Sequence, residues 1–164
     1  MTRDKTSTSV GVLDPPTTIA ERTAIHFASS MPGLDRAHDW QLAELAEARP
    51  FFWLRSQDRP PLTLLVVDPR CVVDGYDPEL PDAALSQVGA AAASGCVLLA
   101  TVTVASASEA TVNLRAPLLI NPQRMLGTQV ILEDPRWPVR HALTASDQEG
   151  QGGPSHARPE PQGR

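Results

Sequence analysis

The most constraining feature of the sequence is a regular alternation between short apolar runs and turn-forming residues. Eight apolar runs of four to nine residues are separated by clusters that contain Pro, Gly, Asp or Asn. These runs are 23–28, 40–45, 51–56, 62–67, 96–104, 111–114, 117–121 and 128–133. Runs of this length with such punctuation are typical of β-strands. The pattern predicts a mainly β, single-domain fold, either barrel-like or a sandwich.

Two segments inside this pattern receive more specific predictions. The run "CVLLATVTV" is rich in β-branched residues and apolar on both faces up to Thr101, which predicts the most central strand. The segment 78–95 instead contains good helix formers. We predict one short helix from a cap at Asp82 to about Ala93, ended by Gly95. An alanine-rich loop is the alternative for this segment.

Both ends of the chain are polar. Residues 1–19 carry Thr, Ser and a Pro-Pro pair, and residues 145–164 lack any large apolar side chain. We therefore predict a flexible N-terminal arm (1–19), a folded β domain (20–144) and a disordered C-terminal tail (145–164). The chain has neither a signal-peptide core nor an apolar run of the roughly 18 residues that span a membrane. We expect a cytoplasmic protein without membrane contact.

The sequence offers little support for catalysis. It has no paired-His metal motif, no nucleophile elbow and no phosphate-binding loop. Cys71 and Cys96 fit no metal spacing, and we expect them to be free thiols. Asp68, Asp74 and Asp77 could converge as in a hydrolase, but Asp beside Pro more simply marks a strand end and turn. We expect no enzyme activity, no metal and no cofactor.

The charge distribution points to a protein partner. The formal net charge is −5, which disfavours non-specific nucleic-acid binding and suits a basic partner. The 44 residues 71–114 contain no Lys or Arg but five carboxylates, four of them within "DGYDPELPD". This segment is either a solvated turn or an acidic contact surface anchored by Tyr76. The second interpretation makes Asp74, Asp77 and Glu79 binding residues.

The stretch "TVNLRAPLLIN", residues 111–121, is an unusual strand. Pro117 cannot donate to a β-ladder, so the run divides into two short strands or one interrupted strand. Arg115 lies at the break, where its guanidinium need not enter the core. Asn113 and Asn121 could satisfy backbone groups at the two turns. The stretch is either a strained sheet corner or the edge of a partner-binding surface.

Several of these motifs resemble one known family. "TVNLRAPLLIN" followed by "GTQVIL" resembles the signature of the FliW flagellar assembly factor family. "IHFASSMPGLD", "PFFWLRSQDRPPLTLLVVDP" and "DGYDPEL" resemble further segments of that family, in the same order. The resemblance extends over about residues 23–143. Ser30, Arg55 and Trp137 depart from it, since the family commonly has Gly, Gln and Tyr there.

The resemblance implies a small β-barrel-like domain that binds proteins. Its implied partners are flagellin and CsrA, an RNA-binding repressor of flagellin translation, and the family member itself contacts no RNA. The implied role is a flagellar assembly factor that antagonises CsrA and couples flagellin synthesis to flagellum assembly. A flagellin-specific, chaperone-like domain without translational regulation is the alternative. The candidate partner-binding residues are Asp74, Tyr76, Asp77, Glu79, Asn113, Arg115, Pro117 and Asn121.

Overall fold

A computed structural model describes residues 23–144 of the chain. The predicted arm and tail lie outside the described residues, which contain nine β-strands, one α-helix and three short 3-10 turns. The strands are β1 (Thr23–Phe27), β2 (Asp39–Glu44), β3 (Phe51–Ser56), β4 (Thr63–Val67), β5 (Val97–Ser106), β6 (Glu109–Val112), β7 (Leu118–Asn121), β8 (Leu126–Gln129) and β9 (His141–Leu143), and the helix α1 is Asp82–Gln87.

Seven of the strands form a closed ring. β1 to β4 are an antiparallel meander, and β4 also pairs with β5, so that the order β4-β3-β2-β1-β8-β7-β5 closes on itself. The closing contact on the other side is the parallel pair of β1 with β8, where His26 lies opposite Leu126. β6 and β9 extend the sheet from the far half of β5. The predicted mainly β, barrel-like fold is confirmed.

β5 is the centre of the sheet, as its composition predicts. It pairs with β4 on one edge and with β7 and then β6 on the other. Its Leu98 and Leu99 point to opposite faces because side chains alternate along a strand, and both are buried. A strand with two covered faces reads as a continuous apolar run, as the sequence does here.

The two faces of β5 belong to two separate cores. The inner core fills the ring and includes Phe27, Trp40, Leu54, Leu99 and Leu118, all almost fully buried. The outer core lies on the other face of β4, β5 and β7, under residues 68–96 and 130–138, and includes Leu98, Val67, Val88, Tyr76 and Trp137. These two loop-rich segments form an outer layer over the ring, and the candidate site lies in this layer.

The helix of the outer layer is shorter than predicted. It begins at Asp82 after Pro81 at the capping position, so Asp82 does not cap it with its side chain. It ends before Gly89, whose φ of 64° is left-handed. Gly89 N donates to Ser86 O at 3.1 Å and Ala90 N donates to Leu85 O at 2.9 Å, which closes the last turn. The predicted end near Ala93 and Gly95 is therefore wrong.

The C-terminal strands also differ from the predicted runs. The sequence predicts one strand over the run 128–133, but β8 covers Leu126–Gln129. Beyond it the chain leaves the ring, and Val130 N donates to Pro117 O at 2.9 Å. The three-residue β9 was not predicted at all, because its sequence "HAL" is too short to show a period.

Candidate partner-binding site

The acidic segment "DGYDPELPD" follows β4 and a 3-10 turn, Pro69–Cys71. Asp68 begins this turn, accepting a hydrogen bond from Arg70 N at 3.0 Å and pairing with the Arg70 guanidinium at 2.6 Å. Its carboxylate is thus occupied by its own turn, whereas Asp74 and Asp77 are exposed. Within residues 23–144 no group of three His, Cys, Asp or Glu is placed to hold a metal ion.

Tyr76 points into the molecule rather than outward. Its side chain is only 4% exposed, and its hydroxyl donates to the carbonyl oxygen of Leu114 at 2.9 Å. Its ring meets that of Trp137 edge to face, with centroids 4.7 Å apart. Burial raises the pKa of this hydroxyl. Tyr76 therefore fixes the acidic segment on the barrel and leaves the neighbouring carboxylates at the surface.

An open groove of about 740 Å³ lies beside the acidic segment. One wall is residues 77–82 and the other is residues 131–137; we call this the acidic groove. Five carboxylates line it, against one cation, Arg136. They are Asp77, Glu79, Asp82, Glu133 and Asp134. Asp74, also a predicted binding residue, is exposed but does not line the groove.

The second wall was missed by sequence reasoning. The segment "EDPRWP", residues 133–138, looks like a simple turn, although its Glu133 and Asp134 adjoin an apolar run just as the first acidic segment does. Ile131 in the same wall is 57% exposed, an unusual position for a large β-branched apolar side chain. The signal that could have found this wall is the repetition of adjacent carboxylates beside an aromatic residue, Tyr76 in one segment and Trp137 in the other.

Arg136 is the cation inside the groove, and it is held by its neighbours. Its guanidinium donates to Asp134 Oδ2 through Nε at 2.8 Å and through a terminal nitrogen at 2.6 Å. These hydrogen bonds hold the pKa of Asp134 below its usual value. The guanidinium carbon also lies 5.4 Å from the centroid of the Trp137 ring. The groove thus contains a carboxylate and an indole that together hold one guanidinium.

The stretch 111–121 is a strand with a break, and the break is a three-residue bulge. Val102 of β5 pairs with Val112 of β6, and Leu99 of β5 pairs with Leu118 of β7. Between these two pairs β5 advances three residues and the opposite strand advances six, so the opposite strand has three extra residues. Asn113 Oδ1 accepts hydrogen bonds from Arg115 N at 3.1 Å and Ala116 N at 3.2 Å. The Asn side chain supplies acceptors to two backbone groups that the ladder cannot satisfy here.

This sheet corner is hydrogen-bonded to the end of the second wall of the acidic groove and to the residue that follows it. Arg115 Nε donates to Trp137 O at 3.0 Å, and Leu114 N donates to Pro138 O at 3.0 Å. The carbonyl oxygens of 114–117 accept from Tyr76, Leu132, Gln129 and Val130 respectively. The corner's backbone groups are thus used within the chain, and Pro117 is buried at the start of β7.

Asn121 lies at the opposite end of β7, away from this corner. It is buried, its Nδ2 donates to Val88 O at 2.9 Å, and its Oδ1 accepts from Gln123 N at 3.1 Å. It therefore joins the ring to the end of α1. Of the eight predicted residues, the structure connects Tyr76, Asn113, Arg115 and Pro117 through the corner, exposes the three carboxylates nearby and places Asn121 elsewhere.

Fold and site together define a class: a small closed β-barrel with an outer layer that carries an acidic groove. The FliW protein family model matches residues 13–143. A solved crystal structure of the flagellar assembly factor FliW matches with a TM-score of 0.70 and 30% identity, over 77% of this chain and 89% of that chain.

Relatives of known name agree with this match. The flagellar assembly factor FliW of Thermotoga neapolitana is 31% identical over 140 residues, which is 84% of this chain and 91% of the relative. That of Geotalea uraniireducens is 30% identical over 149 residues, 90% of this chain and 88% of the relative. The chain belongs to the FliW family of flagellar assembly factors.

Proposed function

We propose that this flagellar assembly factor binds flagellin and CsrA in the cytoplasm, as a binding protein rather than an enzyme. It would thereby couple flagellin synthesis to flagellum assembly. Family membership supports the flagellar role. The observation that carries the proposal is the exposure of Asp74, Asp77 and Glu79 around a buried Tyr76. Within residues 23–144 no helix is long and apolar enough to cross a membrane.

The charge of the surface supports a basic partner. A protein that binds RNA phosphates carries a basic face, and CsrA is such a protein. Fixed carboxylates on a barrel attract that face over distances of about 10 Å at moderate salt and so speed encounter. Flagellin that occupies the assembly factor would leave CsrA free to repress translation. Export of flagellin would free the assembly factor to remove CsrA from the messenger.

Calorimetric titration with the host's own flagellin, and separately with its CsrA, tests the proposal. We expect binding to both, with each partner lowering the apparent affinity for the other. Binding to flagellin alone would favour the second candidate, a chaperone-like domain without translational regulation. Binding to neither would contradict the proposal. A metal-dependent rise in melting temperature would instead favour the Asp-based hydrolase, the least favoured candidate.

A charge-reversal pair tests the acidic segment itself. Asp74→Lys with Asp77→Lys should lower the association rate of CsrA about tenfold or more at low salt. Glu47→Lys with Glu109→Lys is the matched control, because both residues are exposed and the change of charge is the same. Stopped-flow association kinetics at several salt concentrations give the rates. Equal rates for the two pairs at low salt would refute the assignment.

The sheet corner is a second proposed contact, and its test must separate binding from folding. Asn113→Ala removes an acceptor for two backbone N–H groups and should lower stability by about 1 kcal/mol. Thermal melting and a partner titration are run on the same sample, alongside Asn121→Ala. Lost affinity at a temperature where the variant is fully folded supports a contact. Normal affinity there would leave the corner a purely structural element.

A further inference from the structure

We propose that the acidic groove is the docking site for an arginine-containing segment of a protein partner. The segment would pair its guanidinium groups with the groove carboxylates and place an apolar side chain on Ile131. This inference rests on the proposed partner-binding function and adds to it the second wall, residues 131–137. It also names the chemistry that the groove recognises.

The groove carries a net negative charge, which favours the binding of a cation. Four of its five carboxylates, Asp77, Glu79, Asp82 and Glu133, are exposed, whereas Asp134 is paired with Arg136. Because the two walls come from distant parts of the sequence, their fields add only in the folded protein. Such a groove concentrates cationic groups and repels phosphate. A nucleic acid is therefore the wrong occupant, and a basic protein segment is the right one.

The groove already shows how it holds a guanidinium. Arg136 is bound by the Asp134 carboxylate on one side and faces the Trp137 ring on the other. Arginine suits this arrangement better than lysine, because its planar group can bond a carboxylate and stack on an aromatic ring at once. The remaining carboxylates could accept hydrogen bonds from an incoming arginine, as Asp134 does from Arg136.

One apolar feature of the second wall also indicates a ligand. Ile131 lines the charged groove and is 57% exposed, and protein interfaces commonly combine exposed apolar side chains with a charged surround. Trp137 also lines the groove but is only 8% exposed, and its indole nitrogen is buried away from the groove surface.

The direct test uses peptides on the intact, nitrogen-15-labelled protein. N-acetyl-Arg-Leu-Arg-amide is titrated to about 10 mM, which detects millimolar dissociation constants. The three tryptophan indole signals are assigned by Trp→Phe variants. We expect the Trp137 indole and the Glu133 amide to shift, with smaller shifts for the Lys analogue and none for the Glu analogue. Absence of any shift, or equal shifts with Arg and Glu peptides, would overturn the inference.

Two variants with matched controls separate a specific site from general charge. Glu79→Lys with Glu133→Lys should weaken peptide binding about tenfold or more, whereas Glu47→Lys with Glu109→Lys should retain most of it. Arg136→Gln frees Asp134 and the Trp137 ring and should strengthen binding. Arg140→Gln removes the same charge outside the groove lining and should not. Equal effects within either pair would contradict the proposal.

The same variants are then titrated with flagellin and CsrA. If the wild-type protein binds neither but the arginine peptide shifts Trp137, the proposed function fails and the groove chemistry stands. If a partner binds the groove variant and its control equally, and the peptide causes no shift, the groove inference fails and the function stands. Circular dichroism melting confirms that each exposed-site variant is folded.

Discussion

At the scale of single residues, Tyr76 shows how a buried side chain can fix the position of an exposed acidic segment. Its ring and hydroxyl contact Trp137 and the Leu114 carbonyl, which belong to the groove wall and the sheet corner. One buried side chain thus connects three segments that are far apart in the sequence. Its contribution to partner binding is therefore expected through the position of the neighbouring carboxylates, and its direct contact with a partner stays a prediction.

Tyr76→Phe keeps the ring and removes the hydroxyl. The Leu114 carbonyl then loses a buried hydrogen-bond donor, so the free energy of unfolding should fall by about 1–2 kcal/mol near neutral pH. Urea unfolding followed by fluorescence measures the change. An unchanged urea midpoint would show that water or a shifted backbone replaces the hydroxyl.

The difference in stability between the wild-type protein and Tyr76→Phe should depend on pH in alkaline solution. Burial raises the pKa of the Tyr76 hydroxyl in the folded protein, whereas the unfolded chain titrates near the usual value of about 10. The folded state thus holds its proton more tightly, and this stability is present below pH 10 and lost as the pH rises above it. The gap between wild type and Tyr76→Phe should narrow above about pH 10 in urea titrations. A constant gap would contradict the burial of the hydroxyl.

At the scale of elements, strands were easier to predict than the places where the chain changes direction. The runs that became β1 to β5 and β7 show their nature locally, through length and β-branched composition. The end of α1 depends on which glycine adopts a left-handed φ, and both Gly89 and Gly95 fit the sequence pattern. The run 128–133 leaves the ring after Gln129 because its next donors bond the sheet corner, a non-local contact.

The candidate site divides in the same way. The acidic segment that supplies the first wall is visible in the sequence, because four carboxylates and a tyrosine are neighbours there. The second wall begins some 50 residues later, and only packing on the outer core brings Ile131 and Glu133 beside Glu79. The sequence predicts Tyr76 as an anchor for a partner, because composition alone does not show that the Leu114 carbonyl offers its hydroxyl an acceptor.

Two glycines of the outer layer provide a test of the helix end. In Gly89→Ala the alanine would have to keep a positive φ, and its new Cβ would lie 2.8 Å from Arg124 Cδ. The free energy of unfolding should therefore fall by about 1–2 kcal/mol. Gly95→Ala meets nothing within 4 Å and has no positive φ, so it should change stability by less than about 0.5 kcal/mol. Thermal unfolding of both variants gives the comparison. A larger loss at Gly95 would mean that the helix ends there.

At the scale of the whole molecule, the ring and the outer layer share β5 and should unfold together. Leu98→Ala opens the outer core and Leu99→Ala opens the inner core, and each should cost about 2–4 kcal/mol in one cooperative transition. Leu62→Ala, at a side chain 38% exposed, is the control and should cost less than about 1 kcal/mol. Two separate transitions for Leu98→Ala would show that the outer layer unfolds independently.

The parallel pairing of β1 with β8 has a consequence for the nascent chain. It joins residues 26–27 to residues 126–127, so the ring cannot close until almost the whole domain has left the ribosome. Until then β1 is an unpaired edge of the meander, and β4 is a second unpaired edge until β5 emerges. Pairings this distant along the chain also slow folding. The barrel that carries the acidic groove when complete therefore has strand edges open to unwanted pairing while it is being translated.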